Sequence, residues 1–260
     1  MQRSIQHCRL YGFVEAGYLA GRDPVVVTRA LIAGGVEMIQ VRAKAGSHAQ
    51  RVELARAVIR VADPHAVPVI VNDDIAAARE AGAAGVHLGQ EDFAGLSRDQ
   101  LTDLRILGIS THSLAQAQQA ERAGADYIGV GPIFATGTKP GVPPVGIELV
   151  QQVARQITIP FFAIGGITLD NLGAVRAAGA TRVAVVSAIL NAVDVAAAAQ
   201  SGLHPNGRET YGDTLIIDWW GRIATRLPRG AGFVSADIDR DAIAKGRADF
   251  PALANRVLHC

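Results

Sequence analysis

The sequence predicts an α/β fold, a (β/α)8 barrel followed by a small appendage of hairpin, strand and helix. Three observations carry this expectation. Eight short apolar runs rich in Val and Ile stand between Leu10 and Ala199. Ala-rich segments with apolar residues at helical spacing alternate with them. The joint from helix back to strand recurs as AGG, AGAAG, AGAD and AGAT, which places Gly34, Gly82, Gly124 and Gly179 just after a helix. Glycine is favoured there because a left-handed cap costs it little. Strands that are apolar on both faces belong in a parallel sheet covered on both sides. An open doubly wound sheet is the alternative. It carries a Gly-rich first turn, GxGxxG, which is absent here.

In order, the strands are expected at 10–14, 36–42, 67–71, 85–88, 105–109, 127–130, 161–164 and 182–186. Helices are expected between them, among others at 24–33, 49–62, 114–123, 147–156 and 169–178. The character changes near residue 200. Two apolar runs at 213–217 and 222–227, joined by DWWG, read as a hairpin. A third strand is expected at 232–238 and a helix, broken near Pro251, at 241–258. The domains are therefore expected at 1–200 and 201–260.

Composition narrows the function. Hydrophobic residues at 49% against 19% charged exclude a disordered polymer. Lys+Arg 25 against Asp+Glu 24 leaves no general field for nucleic acid or an anionic membrane. The two cysteines, Cys8 and Cys260, lie near opposite ends, which excludes a disulfide framework and suggests a reducing compartment. The N-terminal residues lack an apolar signal core, and no apolar run approaches the ~20 residues of a membrane span. A cytoplasmic protein is expected.

In such a barrel, chemistry gathers where the strands end. Gln40, Arg42 and Lys44 follow the second run, Asn72 and Asp73 the third, and Asp92 the fourth. Ser110 and His112 follow the fifth, Thr136, Thr138 and Lys139 the sixth, Gly165 and Gly166 the seventh, and Val186 and Ser187 close the eighth. Asp73 and Asp92 end neighbouring units, where two carboxylates suit a hard cation such as Mg²⁺. Each taken singly also suits a helix cap. Arg42, Lys44 and Lys139 supply positive charge at the same rim and, beside a metal, suit a diphosphate. The Gly165–Gly166 and Val186–Ser187 turns suit a monophosphate held by backbone N–H groups. His112 reads either as an acid–base group or as a helix-start residue bonded to the backbone. His87 reads as a packed core group.

The runs MIQVRAK (38–44), VIVNDD (69–74), GVHLGQED (85–92), GISTHS (108–113), ADYIGVGPIFATGTK (125–139), AIGGIT (163–168) and VAVVSAI (183–189) resemble the thiamine phosphate synthase family, in order and at its spacing. The resemblance covers about 10–199. It implies a barrel that joins hydroxymethylpyrimidine diphosphate to thiazole phosphate, releasing thiamine phosphate and diphosphate by a dissociative route. It implies that Gln40, Val41, Arg42, Ala43, Lys44, Asn72, Ser110 and Lys139 hold the pyrimidine diphosphate, and that Asp73 and Asp92 hold Mg²⁺. Arg42, Lys44, Ser110 and Lys139 then carry the catalytic roles. Thr136, Gly137, Thr138, Gly166, Val186 and Ser187 would contact the thiazole phosphate. The chain departs from the family in its first strand, LYGFVEAGYL, where many members carry Thr-Asp. It departs again in the Pro-rich loop PGVPPVG after Lys139. A related isomerase, thiazole tautomerase, is the alternative, favoured by His112. A non-catalytic phosphate-binding barrel with an interaction tail is another.

The segment 204–256 resembles the end of a carbon–nitrogen hydrolase of the nitrilase superfamily. That resemblance implies a Glu-Lys-Cys catalytic set upstream, which nothing here supplies, so no amidase activity is expected. Trp219, Trp220, Ile216, Ile217, Phe233 and Val234 need apolar cover. Their own barrel and the strand edge of a second copy, making a homodimer, both suit. Small-molecule substrates are the expected partners, with no nucleic acid and no membrane.

Overall fold

The structure, a computed structural model, describes residues 4–138, 141–200, 214–217 and 223–227. The chain divides into two compact units, Met1–Gln200 and Ser201–Cys260.

The first unit is a closed barrel of eight parallel strands in sequence order. They are β1 (Leu10–Glu15), β2 (Met38–Arg42), β3 (Val69–Asn72), β4 (Gly85–Leu88), β5 (Ile106–Thr111), β6 (Tyr127–Val130), β7 (Phe161–Ile164) and β8 (Val183–Ala184). The connecting helices are α1 (Pro24–Ala33), α2 (His48–Ala62), α3 (Ile75–Ala81), α4 (Gln90–Phe93), α5 (Leu114–Arg122), α6 (Gly146–Gln156), α7 (Leu169–Ala177), α8 (Ser187–Leu190) and α9 (Val195–Gln200). The (β/α)8 expectation holds. β8 is two residues rather than five because Val186 leaves extended geometry (φ −108°, ψ −82°) to start α8.

Several helices begin on a short polar side chain that accepts from the first-turn backbone. Asp23 caps α1 through Val25 N, and Asp74 caps α3 through Ala77 N. Ser47 with Gln50 and Thr168 with Asn171 form capping boxes on α2 and α7. These caps fix where each strand's loop ends, and so where the polar rim residues stand. The joint glycines are left-handed at Gly82, Gly124 and Gly179 (φ +72°, +82° and +104°). At AGG the expectation needs correction. Gly34 stays right-handed (φ −75°) and Gly35 takes φ +90°. Gly34 serves packing instead, since a Cβ there would lie 2.4 Å from Ala199 Cβ.

The core sits between barrel and helices, where Val14, Ile39, Val41, Val71, Val86 and Leu107 are almost wholly buried. The opposite strand faces fill the barrel interior with aromatic rings. Tyr11 packs on Phe13, Tyr127 and Phe162 with ring centroids 5.1–5.8 Å apart. Tyr127 fits because Gly108, on the adjacent strand, has no side chain: a Cβ there would lie 2.2 Å from the Tyr127 ring.

In the second unit β9 (Thr214–Ile217) and β10 (Ile223–Leu227) pair antiparallel, with an irregularity between Ile223 and Thr225. The expected hairpin strands are present. The DWWG turn, the strand at 232–238 and the helix at 241–258 lie outside the described residues. Among the described residues, no helix is long and apolar enough to cross a membrane.

Candidate active site

The C-terminal ends of the strands surround an open cavity, the place where barrels of this kind build their sites. The period of two along each strand selects what enters it. Glu15 of β1, Gln40 and Arg42 of β2, Asn72 of β3, His87 of β4 and Ser110 of β5 line it, with His112 just beyond. Val41, between Gln40 and Arg42, is buried on the other face and does not line the cavity.

Glu15 and Arg42 are register partners at the ends of β1 and β2. Arg42 Nη1 donates to Glu15 Oε2, and only 9% and 6% of the two side chains are exposed. Arg42 Nη2 is buried with no hydrogen-bond partner among the described residues. A buried guanidinium with one committed nitrogen and one uncommitted nitrogen is prepared for an anion.

A chain of hydrogen bonds crosses the barrel beneath the cavity. Gln40 Nε2 donates to Tyr11 OH (2.7 Å), and Tyr11 OH meets Tyr127 OH (2.9 Å). Tyr127 OH meets His87 Nδ1 (2.9 Å), and His87 Nε2 meets Ser110 Oγ (2.9 Å). Burial is the chief reason that both tyrosine pKa values are raised, so the phenols keep their protons. His87 is buried, as the core reading expects, yet it also lines the cavity.

The loops form the rim. Asp73 follows β3 in a left-handed conformation (φ +61°), and Asn72 Nδ2 donates to its Oδ2. The α3 cap is Asp74, so the cap reading does not account for Asp73. Asp92 stands in α4, its carboxylate leaning back over Gly89 so that a Cβ there would lie 2.9 Å from Asp92 Oδ2. Both carboxylates are exposed. Among the described residues no group of three or more metal-ligating side chains occurs. Ala43 and Lys44 lie beyond β2 and outside the cavity lining, with Lys44 exposed; Lys139 lies outside the described residues.

Gly165, Gly166, Val186 and Ser187 also line the cavity, together with Thr136 and Thr138. Gly166 needs its freedom: at φ +65°, a Cβ would lie 2.6 Å from Ala135 O. Asn171 Nδ2 holds the Gly166 carbonyl at 2.8 Å. Thr138 Oγ1 meets Tyr18 OH at 3.0 Å, tying this loop to the segment after β1. Gly137 is exposed and outside the lining. His112 is bonded to the backbone, as one of its two readings expects. Its Nδ1 bonds the Gly131 carbonyl, which fixes the proton there, and the ring still lines the cavity.

Residues 10–189 match the family model for thiamine monophosphate synthase. The chain belongs to that family. It is 43% identical over 193 residues to the thiamine-phosphate synthase of Chloroflexus aurantiacus, covering 74% of this chain and 89% of the relative. It is 43% identical over 189 residues to that of Halalkalibacterium halodurans, covering 72% and 90%. Among solved structures, thiamine phosphate pyrophosphorylase from Pyrococcus furiosus is similar at 30% identity, TM-score 0.67, covering 74% of this chain and 92% of that one. 3-Hexulose-6-phosphate synthase shares the fold at 19% identity and TM-score 0.53. Residues 178–248 match a model for carbon-nitrogen hydrolase. The chain is thus an enzyme of the thiamine monophosphate synthase family with a second, partial likeness at its end.

Sequence reasoning did not single out Glu15, Tyr11, Tyr127 or Tyr18. The signal for Glu15 was available: Tyr11, Phe13 and Glu15 share one parity in β1, so a polar residue ends the inward face. Tyr127 reads as an ordinary strand aromatic until Gly108 beside it shows which way its ring points.

Proposed function

We propose that this chain joins a hydroxymethylpyrimidine diphosphate to a thiazole phosphate, giving thiamine phosphate and diphosphate. The observation that supports it best is Arg42: buried, fixed by Glu15, with Nη2 uncommitted at the cavity. Family membership supplies the substrate class.

In this reading Arg42, Asn72 and Ser110 hold the pyrimidine diphosphate, with Gln40 at the ring. Lys44 and Lys139 add positive charge for the diphosphate. Thr136–Thr138, Gly166, Val186 and Ser187 take the thiazole phosphate. The C–O bond of the pyrimidine methylene breaks and its electron pair leaves on diphosphate. The aminopyrimidine carries the positive charge until the thiazole nitrogen donates its lone pair to form the C–N bond. Arg42 neutralises the departing charge, and the cavity orients both partners and excludes water. No protein nucleophile is required.

Asp73 and Asp92 offer hard oxygen ligands on adjacent loops, and neither is used as the cap of its helix, so they fit Mg²⁺. When bound, the ion would add charge neutralisation at the leaving diphosphate. The assay is thiamine phosphate formation with and without Mg²⁺. Product that requires Mg²⁺ and collapses in Asp92→Ala supports the reading; no product from folded protein overturns it.

His112 carries a second reading. Nδ1 is held by the Gly131 carbonyl, which leaves Nε2 as the ring nitrogen for proton transfer to a thiazole phosphate in the cavity. Isomerisation of thiazole phosphate without any pyrimidine substrate would favour it.

In this reading residues 1–200 carry the activity in the cytoplasm, and 201–260 form a separate nitrilase-like domain. Neither cysteine of the chain lies within 178–248, so a Glu-Lys-Cys set is not completed there. A two-stranded ribbon such as β9–β10 is marginal alone, and pairing with a second copy would complete it. Sedimentation of the full chain tests the homodimer; a monomer at high concentration removes it.

A further inference from the structure

The buried chain from Gln40 to Ser110 has a direction. An amide nitrogen can only donate, so Gln40 Nε2 gives its proton to Tyr11 oxygen. Tyr11 is buried, and Tyr127 OH, 2.9 Å away, is the neighbour able to accept its proton. Tyr127 is then committed as acceptor and gives its proton to His87 Nδ1. A neutral imidazole that accepts at Nδ1 carries its proton on Nε2. His87 therefore donates to Ser110 Oγ, and the Ser110 proton is left to point elsewhere. The opposite polarity would strand the Tyr11 proton in the interior, where an unsatisfied donor is costly.

We propose that Tyr11, Tyr127 and His87 are positioning residues forming a one-way relay that presets Gln40 as an acceptor and Ser110 as a donor toward the cavity. The bond to Tyr11 uses Gln40 Nε2 and leaves Oε1 as the acceptor of that amide, and both Gln40 and Ser110 line the cavity. An acceptor at one side and a donor at the other complement an aromatic ring that bears an amino group on one edge and a ring nitrogen on another. A ring with the reverse pattern meets like poles at both positions. The relay rests on the proposed function only for which ring is read; its polarity rests on the geometry. It also accounts for the fit of the barrel interior. Gly108 leaves room for Tyr127, and at Gly129 a Cβ would come within 3.4 Å of the His87 ring. A side chain at Gly108 would displace Tyr127, while Gly129 packs in ordinary contact with His87.

The test is the tautomer of His87, read by long-range ¹⁵N–¹H spectra of the full chain labelled at histidine and assigned with His87→Gln. The wild type should show the neutral Nε2–H form. Gln40→Glu removes the N–H that starts the chain, so Tyr11 should donate toward residue 40 and every bond beyond it reverse. His87, three hydrogen bonds away, should move to the Nδ1–H form, a response that packing alone would not produce. Tyr127→Phe should give mixed tautomers and raise KM for the pyrimidine diphosphate about tenfold, leaving KM for the thiazole phosphate unchanged. An Nδ1–H or charged His87 in the wild type overturns the relay, as does an unmoved tautomer in a folded Gln40→Glu. If Gln40→Glu does not fold, an unmoved tautomer in Tyr127→Phe does the same. A wild type that has the Nε2–H form but makes no thiamine phosphate removes the proposed reaction and leaves the relay supported.

Discussion

Glu15 lies directly across the β1–β2 register from Arg42 and holds one of its guanidinium nitrogens. Arg42 Nη2 is buried without a hydrogen-bond partner among the described residues. A buried ion pair is weak support for stability as a pair, but removing one member leaves an uncompensated charge. Glu15→Ala should therefore cost on the order of 3 kcal/mol in denaturant unfolding. Inorganic diphosphate should recover part of that loss, because an anion that binds only the folded state stabilises it. A variant as stable as the wild type would mean that Arg42 does not depend on Glu15.

Glycines give a paired test of packing. Gly108→Ala pushes a methyl into the Tyr127 ring, and overpacking of this kind costs about 1–3 kcal/mol. Gly173→Ala, in exposed α7 with nothing within 4 Å, should instead add about 0.5–1 kcal/mol through helix propensity. Thermal unfolding of the two variants should move in opposite directions.

The outer clasp around Asp74 is pH-sensitive. His48 Nε2 meets Glu80 at 2.9 Å and its Nδ1 faces Asp74 at 3.5 Å, while Arg51 also binds Asp74. The hydrogen bond to Glu80, ahead of the Asp74 contact, raises the His48 pKa. Its contribution is thus complete below the unfolded value of about 6.5 and fades as pH climbs through the raised folded value. Asp74 has the opposite sign. Burial pushes its pKa up, but the Ala77 N–H, Arg51 and His48 together bring it down, so its contribution fades in acid. The stability difference between wild type and His48→Ala should be present at pH 6 and vanish in alkaline solution. A difference that persists there would rule out the charged clasp.

Tyr18 tests the loop carrying Thr136–Thr138. Tyr18→Phe deletes the hydroxyl that meets Thr138 and little else. KM for the thiazole phosphate should rise about fivefold, the equivalent of about 1 kcal/mol for one hydrogen bond, with kcat unchanged. An equal effect on both substrates would mean that the contact is structural.

Much of this arrangement was legible in the linear sequence, for a physical reason. Parallel strands covered on both faces must be apolar throughout, so each strand end stands out as the first polar residue, and Arg42, Asn72 and Ser110 could be located that way. Parity within a strand was harder, because Val41 adjoins two cavity residues and only the pleat separates it from them. Partnerships were not legible at all. Glu15 and Arg42 stand 27 positions apart and meet through the pairing of β1 with β2, while Tyr11 and Tyr127 stand 116 apart and meet across the closed barrel. The AGG joint misled because Gly34 answers to a neighbouring helix rather than to its own cap.

β8 closes the barrel with two residue pairs, Leu10 with Val183 and Tyr11 with Ala184. Every other seam in the ring has at least as many, and that between β1 and β2 has five. Amide exchange should thus reach this seam early, since breathing starts where the fewest bonds must break. Tyr11 stands on the seam and is also the second member of the buried polar chain. When the barrel breathes there, the orientation of Ser110 on the far wall is lost in the same event.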